Sequence, residues 1–241
     1  MSVKNIEYSA DGVRMIGQYA VDEERPGKRP GILVCHEGNG LTDHTKKIAA
    51  RLAGLGYAAF AMDYYGDGKP LATPAEWTAR MAPWRTDRTH IRLRANAALA
   101  MLAAQKEVDP ARLAAIGYCF GGTTALELGR CGADVKAIVG FHSGLVTTRI
   151  EDAKNIKGKV LVCIGAEDPI IPPEQRTAFE SEMKTGGCDW RLQLYGGAGH
   201  SFTNPDIDTR GLQGFFYHAD TDRRSWNAMI ELFNETLGVV Q

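Results

Sequence analysis

Hydrophobic and polar positions change period several times along this chain, and each change marks an element. Residues 4 to 22 alternate weakly, as in Val13-Arg14-Met15-Ile16-Gly17-Gln18-Tyr19, and Ala10-Asp11-Gly12 interrupts them. A period of two broken by Asp-Gly predicts an antiparallel hairpin at a sheet edge. Largely apolar runs follow at Gly31-Ile32-Leu33-Val34-Cys35, 57–62, 112–116, 135–141 and 160–164. Such runs predict strands buried on both faces of a mostly parallel sheet. Trp190 to Tyr195 alternates as a further strand.

Between these runs the period lengthens. Ile48, Leu52 and Leu55 share one helical face, with Lys46, Lys47 and Arg51 opposite and Gly56 as the stop. Ile91, Ala95, Ala98, Leu99 and Leu102 extend a helix over 88–105, and Pro172-Pro173 opens another that runs to Met183. Trp226, Met229, Ile230, Phe233 and Leu237 close the chain as an amphipathic helix. Residues 64–87 and 196–224 show no period and read as loops; a loop as long as the second is expected to be functional.

Strands alternating with helices along the whole length predict one doubly wound α/β domain spanning 1–241, with about eight strands and helices on both faces. Composition agrees: 241 residues, 44% hydrophobic and 24% charged, suffice for a large, well-buried core. A formal net charge of -1 gives no pull toward nucleic acid or an anionic membrane, so neither is an expected partner. The first residues lack a signal-peptide core, and no stretch reaches membrane-spanning length. Five cysteines without C-x-x-C spacing argue against a disulfide framework and a structural zinc site, and for a reducing cytoplasm. No metal or cofactor is expected.

Candidate chemistry centres on Gly117-Tyr118-Cys119-Phe120-Gly121-Gly122, between an apolar strand and the helical Thr123 to Leu128. Small residues two before and two after a nucleophile, at a strand-to-helix turn, define a nucleophile elbow. Glycine is needed there because a neighbouring side chain would strike the strand or the helix. The helix N-terminus also favours a thiolate on Cys119. In such sheets, ligands bind beyond the carboxyl ends of the strands. Those ends carry Cys35-His36-Glu37-Gly38, Asp63, Cys119, His142-Ser143, Glu167-Asp168 and His200. Nucleophile, acid and histidine therefore follow the order Cys119, Asp168, His200, which is the chain order of an α/β-hydrolase triad.

These residues also carry a family resemblance. The chain resembles the dienelactone hydrolase family, cysteine-nucleophile enzymes of α/β-hydrolase fold. The matches are Cys35-His36-Glu37, Asp63-Tyr64-Tyr65-Gly66, the elbow, Phe141-His142-Ser143-Gly144, Gly165-Ala166-Glu167-Asp168-Pro169 and Gly199-His200-Ser201-Phe202. The resemblance implies hydrolysis of a small ester or lactone; a monomer or weak homodimer is expected. It also implies that Glu37 contacts the resting thiol and swings away when substrate binds. The family holds a substrate carboxylate with arginines, one of them four residues past the catalytic histidine. That position is Asn204 here; Arg80 matches the other arginine, with Arg85 or Arg88 as competitors and Arg210 as a substitute further along. Asparagine lacks the bidentate, charged fork of arginine, so a substrate other than dienelactone is expected.

The chemistry expected is acyl transfer, with Cys119 attacking, His200 moving protons and Asp168 orienting it. Backbone N–H groups of Phe120 and Gly38 are the expected oxyanion donors. Arg80, Asn204 and Ser201 are the expected substrate contacts. Cys35 and Cys163 read as inert core, His36 and His142 as structural, and Asp63 as a brace for the loop after its strand. The run Phe215-Phe216-Tyr217-His218 either walls the pocket or packs the long loop. Thioester cleavage, or non-catalytic binding of a small molecule on the same fold, are the competing readings.

Overall fold

The computed structural model describes residues 1–240, apart from the side chains of Thr209 and Arg210. The weak alternation of the first residues becomes the hairpin β1 (Ser2–Ala10) and β2 (Val13–Val21), turned by Asp11 and Gly12, both at positive φ. The apolar runs become β3 (Arg29–Cys35), β4 (Ala58–Met62), β5 (Val108–Tyr118), β6 (Ala137–Phe141) and β7 (Lys159–Gly165), and β8 is Trp190–Tyr195. They form one eight-stranded sheet in the order β1-β2-β4-β3-β5-β6-β7-β8. From β4 to β8 the pairings are parallel; β1 and β2 are antiparallel at one edge.

Alternate strand residues feed two cores. Leu33 and Cys35 of β3, Ile138 of β6 and Val160 and Val162 of β7 face one, while Ile32, Val34, Val139 and Leu161 face the other. The first core is covered by α3 (Thr89–Ala103), α4 (Phe120–Arg130) and α5 (Pro173–Thr185). The second is covered by α1 (Asp43–Gly54) and α6 (Ala219–Leu237). Burial on both faces is why these strands read as unbroken apolar runs.

Two unpatterned stretches hold more structure than expected. Within 64–87 lies a helix, α2 (Pro74–Thr86), opened by a capping box between Thr73 and Glu76 and continuous through Pro83. Only Trp84 of this helix is buried, so no apolar stripe betrays it. Within 196–224, residues Pro205–Arg210 form a 3-10 turn, and α6 begins at Ala219, where His218 caps it by accepting from Thr221 N–H.

Under α4 lies a buried ionic cluster. Arg130, fully buried, donates to both carboxylate oxygens of Glu182 at 2.8 Å and to Glu127 at 3.0 Å. Arg92 bridges Glu127 to Asp152. Breaking such a pair from one side strands a carboxylate, which typically costs about 3–5 kcal/mol. Arg130→Ala is thus expected to move the urea midpoint down by that much stability at unchanged slope. A loss under about 1 kcal/mol would mean that the carboxylates find solvent or another cation.

Candidate active site

Cys119 sits between β5 and α4 at φ 53°, ψ -119°, a backbone conformation that L-residues rarely adopt. Its N–H donates to the Phe141 carbonyl at 3.0 Å, and its own carbonyl accepts from Gly122 and Thr123, which fixes the turn. The neighbouring glycines leave no room for side chains. A Cβ on Gly117 would strike the Gly121 backbone, one on Gly121 the Cys35 carbonyl, and one on Gly122 the Ser143 hydroxyl. Phe120 is the first residue of α4, so its N–H has no intrahelical acceptor.

Asp168 lies just past β7. Its Oδ1 accepts from Ile170 N–H at 2.8 Å, and its Oδ2 lies 2.7 Å from His200 Nδ1. An ionised carboxylate only accepts, so Nδ1 carries the proton and Nε2 is left for other work. The His200 backbone is clamped by Gly214 and Phe216 at 2.8 and 3.2 Å, and the Phe215 and His142 rings meet its imidazole edge-on at 4.8 and 5.0 Å. His200 Nε2 completes no hydrogen bond at rest, although it is buried. Burial opposes charge on this imidazole, but the Cys119 sulfur and the Asp168 carboxylate outweigh it and hold the pKa well above the usual value.

Cys119, Glu37, Gly38 and Ser201 line one cavity of about 230 Å³. The loop after β3 is pinned from below: Tyr64 hydroxyl donates to the His36 carbonyl at 2.5 Å, and Tyr65 hydroxyl to the Gly38 carbonyl at 2.9 Å. Glu37 is buried; its Oε2 accepts from Asn204 Nδ2 at 3.1 Å and lies 3.5 Å from His44 Nδ1. Burial opposes charge on His44, yet Glu37 raises its pKa. Asn204 thus reaches the glutamate, and its Oδ1 accepts from Asp206 N–H at 3.0 Å.

Arg80 lies elsewhere. In a helix, residues 77, 81 and 85 share one face and 76, 80 and 84 the next. Accordingly Trp77, Met81 and Arg85 line the thiol's cavity, while Glu76, Arg80 and Trp84 line a separate open cavity of about 710 Å³ behind α2. The Arg80 guanidinium lies 5.7 Å from the Tyr65 ring centroid. Arg88 is buried, donating to the Trp84 and Val146 carbonyls. The Arg210 side chain lies outside the described residues. Trp77 and Met81 were not legible as site residues; the Thr73-Pro74-Ala75-Glu76 start signal was the one clue to their helix.

The remaining candidates have structural partners. Asp63 accepts from the N–H groups of Ile16, Tyr65, Gly66 and Gly68, bracing the turn after β4. His36 Nδ1 meets the Glu37 carbonyl at 2.6 Å and His142 Nε2 the Thr203 hydroxyl at 2.9 Å; burial depresses the pKa of both rings. Burial raises the pKa of the Cys35 thiol, and that of Cys163 up to about 12. The aromatic run divides its work, since Phe215 lines the cavity while Tyr217 bonds Asp222 at 3.3 Å and His218 caps α6. Among the described residues no cluster of His, Cys, Asp and Glu is arranged to hold a metal ion, and no helix is long and apolar enough to cross a membrane.

This sheet order, with a strained residue at the elbow after β5, defines an α/β-hydrolase. Comparison with known proteins narrows the class. Residues 16–237 match the model of the dienelactone hydrolase family, and the chain belongs to that family of ester- and lactone-type hydrolases. A putative carboxymethylenebutenolidase of Yersinia pestis is 25% identical over 237 residues, covering 94% of this chain and 85% of that one. A crystal structure of a dienelactone hydrolase-like promiscuous phosphotriesterase from metagenomic libraries superposes with a TM-score of 0.95 at 43% identity, covering 98% of this chain and 99% of that one. A putative dienelactone hydrolase from Klebsiella pneumoniae has the same fold, with a TM-score of 0.81 at 21% identity over 98% of this chain and all of that one, 100%.

Proposed function

We propose that this protein hydrolyses small carboxylic esters or lactones through a thioester on Cys119. The observation that carries the reading is the sulfur at a strained elbow beside a buried imidazole whose far nitrogen is fixed by Asp168 at 2.7 Å. The thiolate of Cys119 attacks the carbonyl carbon; a C–S bond forms and the π electrons move onto oxygen. Backbone N–H groups of Phe120 and Gly38 receive that oxyanion. Collapse breaks the C–O bond, and His200 gives its proton to the leaving alkoxide. Water then attacks the thioester, His200 takes its proton, and the acid leaves as the thiol is restored. Glu37 borders the same cavity, and its contacts with Asn204 and His44 give it a station from which to approach or leave the sulfur.

Rapid mixing with p-nitrophenyl butyrate tests this. One equivalent of p-nitrophenol is expected in a burst, together with a butyryl adduct on the peptide that holds Cys119 by mass spectrometry. Turnover that survives Cys119→Ala would sink the covalent route, since a burst appears only where deacylation is the slower step. The 43% identity to a promiscuous phosphotriesterase favours a second reading, in which the same donors accept a phosphoryl oxygen. A neutral aryl phosphotriester belongs in the same panel; turnover lost with Cys119 would support it.

A further inference from the structure

The walls of the cavity sort the two halves of an ester. The leaving oxygen must take its proton from His200, and Phe215 packs against that imidazole, so the alcohol portion belongs on the Phe215 side. The acyl portion is left with the rest of the lining, to which α2 contributes Trp77 and Met81. Met81 stands against the Gly38 donor: a Cβ built on that glycine would come within 2.7 Å of Met81 Sδ and 2.9 Å of its Cε. The thioether therefore sits beside the point where the carbonyl oxygen would bind, and the first carbons of the acyl chain must pass it. At about 230 Å³ the space is smaller than the roughly 300–1,000 Å³ of drug-sized pockets.

Charge points the same way. Glu37 is buried and lines the same cavity, so a carboxylate on the acyl chain would meet a like charge where water screens it little. Arg80, which would neutralise such a substrate, is on the other face of α2. Arg85 shares the cavity but is solvent-exposed, where its pull on an anion is screened.

We infer that the acyl subsite takes a short, uncharged aliphatic chain, and that Met81, with Trp77 beside it, sets the chain length. This rests on the thioester reading above and deepens it. Kinetics on p-nitrophenyl acetate, valerate, octanoate and mono-p-nitrophenyl glutarate, which share one leaving group, decide it. Wild type is expected to favour valerate over glutarate, a chain of equal length with a terminal carboxylate, by about tenfold or more in kcat/KM. A methylene in an apolar pocket is typically worth about 10–200-fold, so Met81→Ala is expected to raise the octanoate-to-acetate ratio by at least about tenfold. Met81→Leu should fall between, and Trp77→Ala should shift the ratio in the same direction. Equal or better use of glutarate would overturn the charge part. An unchanged ratio in both alanine variants, with folding verified by circular dichroism, would overturn the length part. The underlying chemistry fails separately: turnover that survives Cys119→Ala would make the thioester wrong, whatever the chain-length preference.

Discussion

Cys119→Ala is expected to lower kcat on p-nitrophenyl esters by about five to six orders of magnitude, the loss seen when a triad nucleophile is removed. What remains, about 10³-fold over water, would come from oxyanion donors and substrate positioning. The variant should fold normally, because alanine is smaller than cysteine and the turn is held by backbone bonds to Phe141, Gly122 and Thr123. Initial rates on purified variant, with the thermal midpoint as a folding control, provide the measurement. Activity above a few per cent of wild type would move the nucleophile elsewhere in the cavity.

A second large loss is expected from Asp168→Asn. The carboxylate accepts from His200 Nδ1; an amide can present its NH₂ instead and leave the Nε2 tautomer protonated, pointing a proton at the sulfur. In serine-nucleophile triads that exchange costs about 10⁴ in kcat. Loss of the carboxylate also removes one of the influences that raise the His200 pKa. The imidazole of the variant should therefore lose its proton at lower pH than in wild type. The rate of Cys119 alkylation by iodoacetamide, followed against pH, should move its inflection accordingly. A kcat loss below tenfold, with an unmoved alkylation profile, would reduce Asp168 to a turn residue.

The central sheet was legible because burial on both faces leaves no polar position in a strand, so β3, β4, β6 and β7 announce themselves as apolar runs. Cys119, Asp168 and His200 were legible as candidates because strand ends are where this architecture gathers its ligands, and their chain order matches that of a hydrolase triad. Helix α2 was not, since a helix with one buried side chain has no stripe to read. That miss carried over to Arg80, whose side of the helix is undefined until the helix is known. Nor was the meeting of Glu37 with Asn204 legible, because those residues are 167 positions apart and only the folded loops bring them together.

The thinness of α2's attachment has an evolutionary consequence. It gives a single buried tryptophan to the core, yet Trp77 and Met81 on its other face border the Cys119 thiol. Substitutions along that face can alter which molecules are accepted while touching the first core only at its rim, where Met81 packs. Selection for a new substrate would have one short segment to explore with little danger of unfolding.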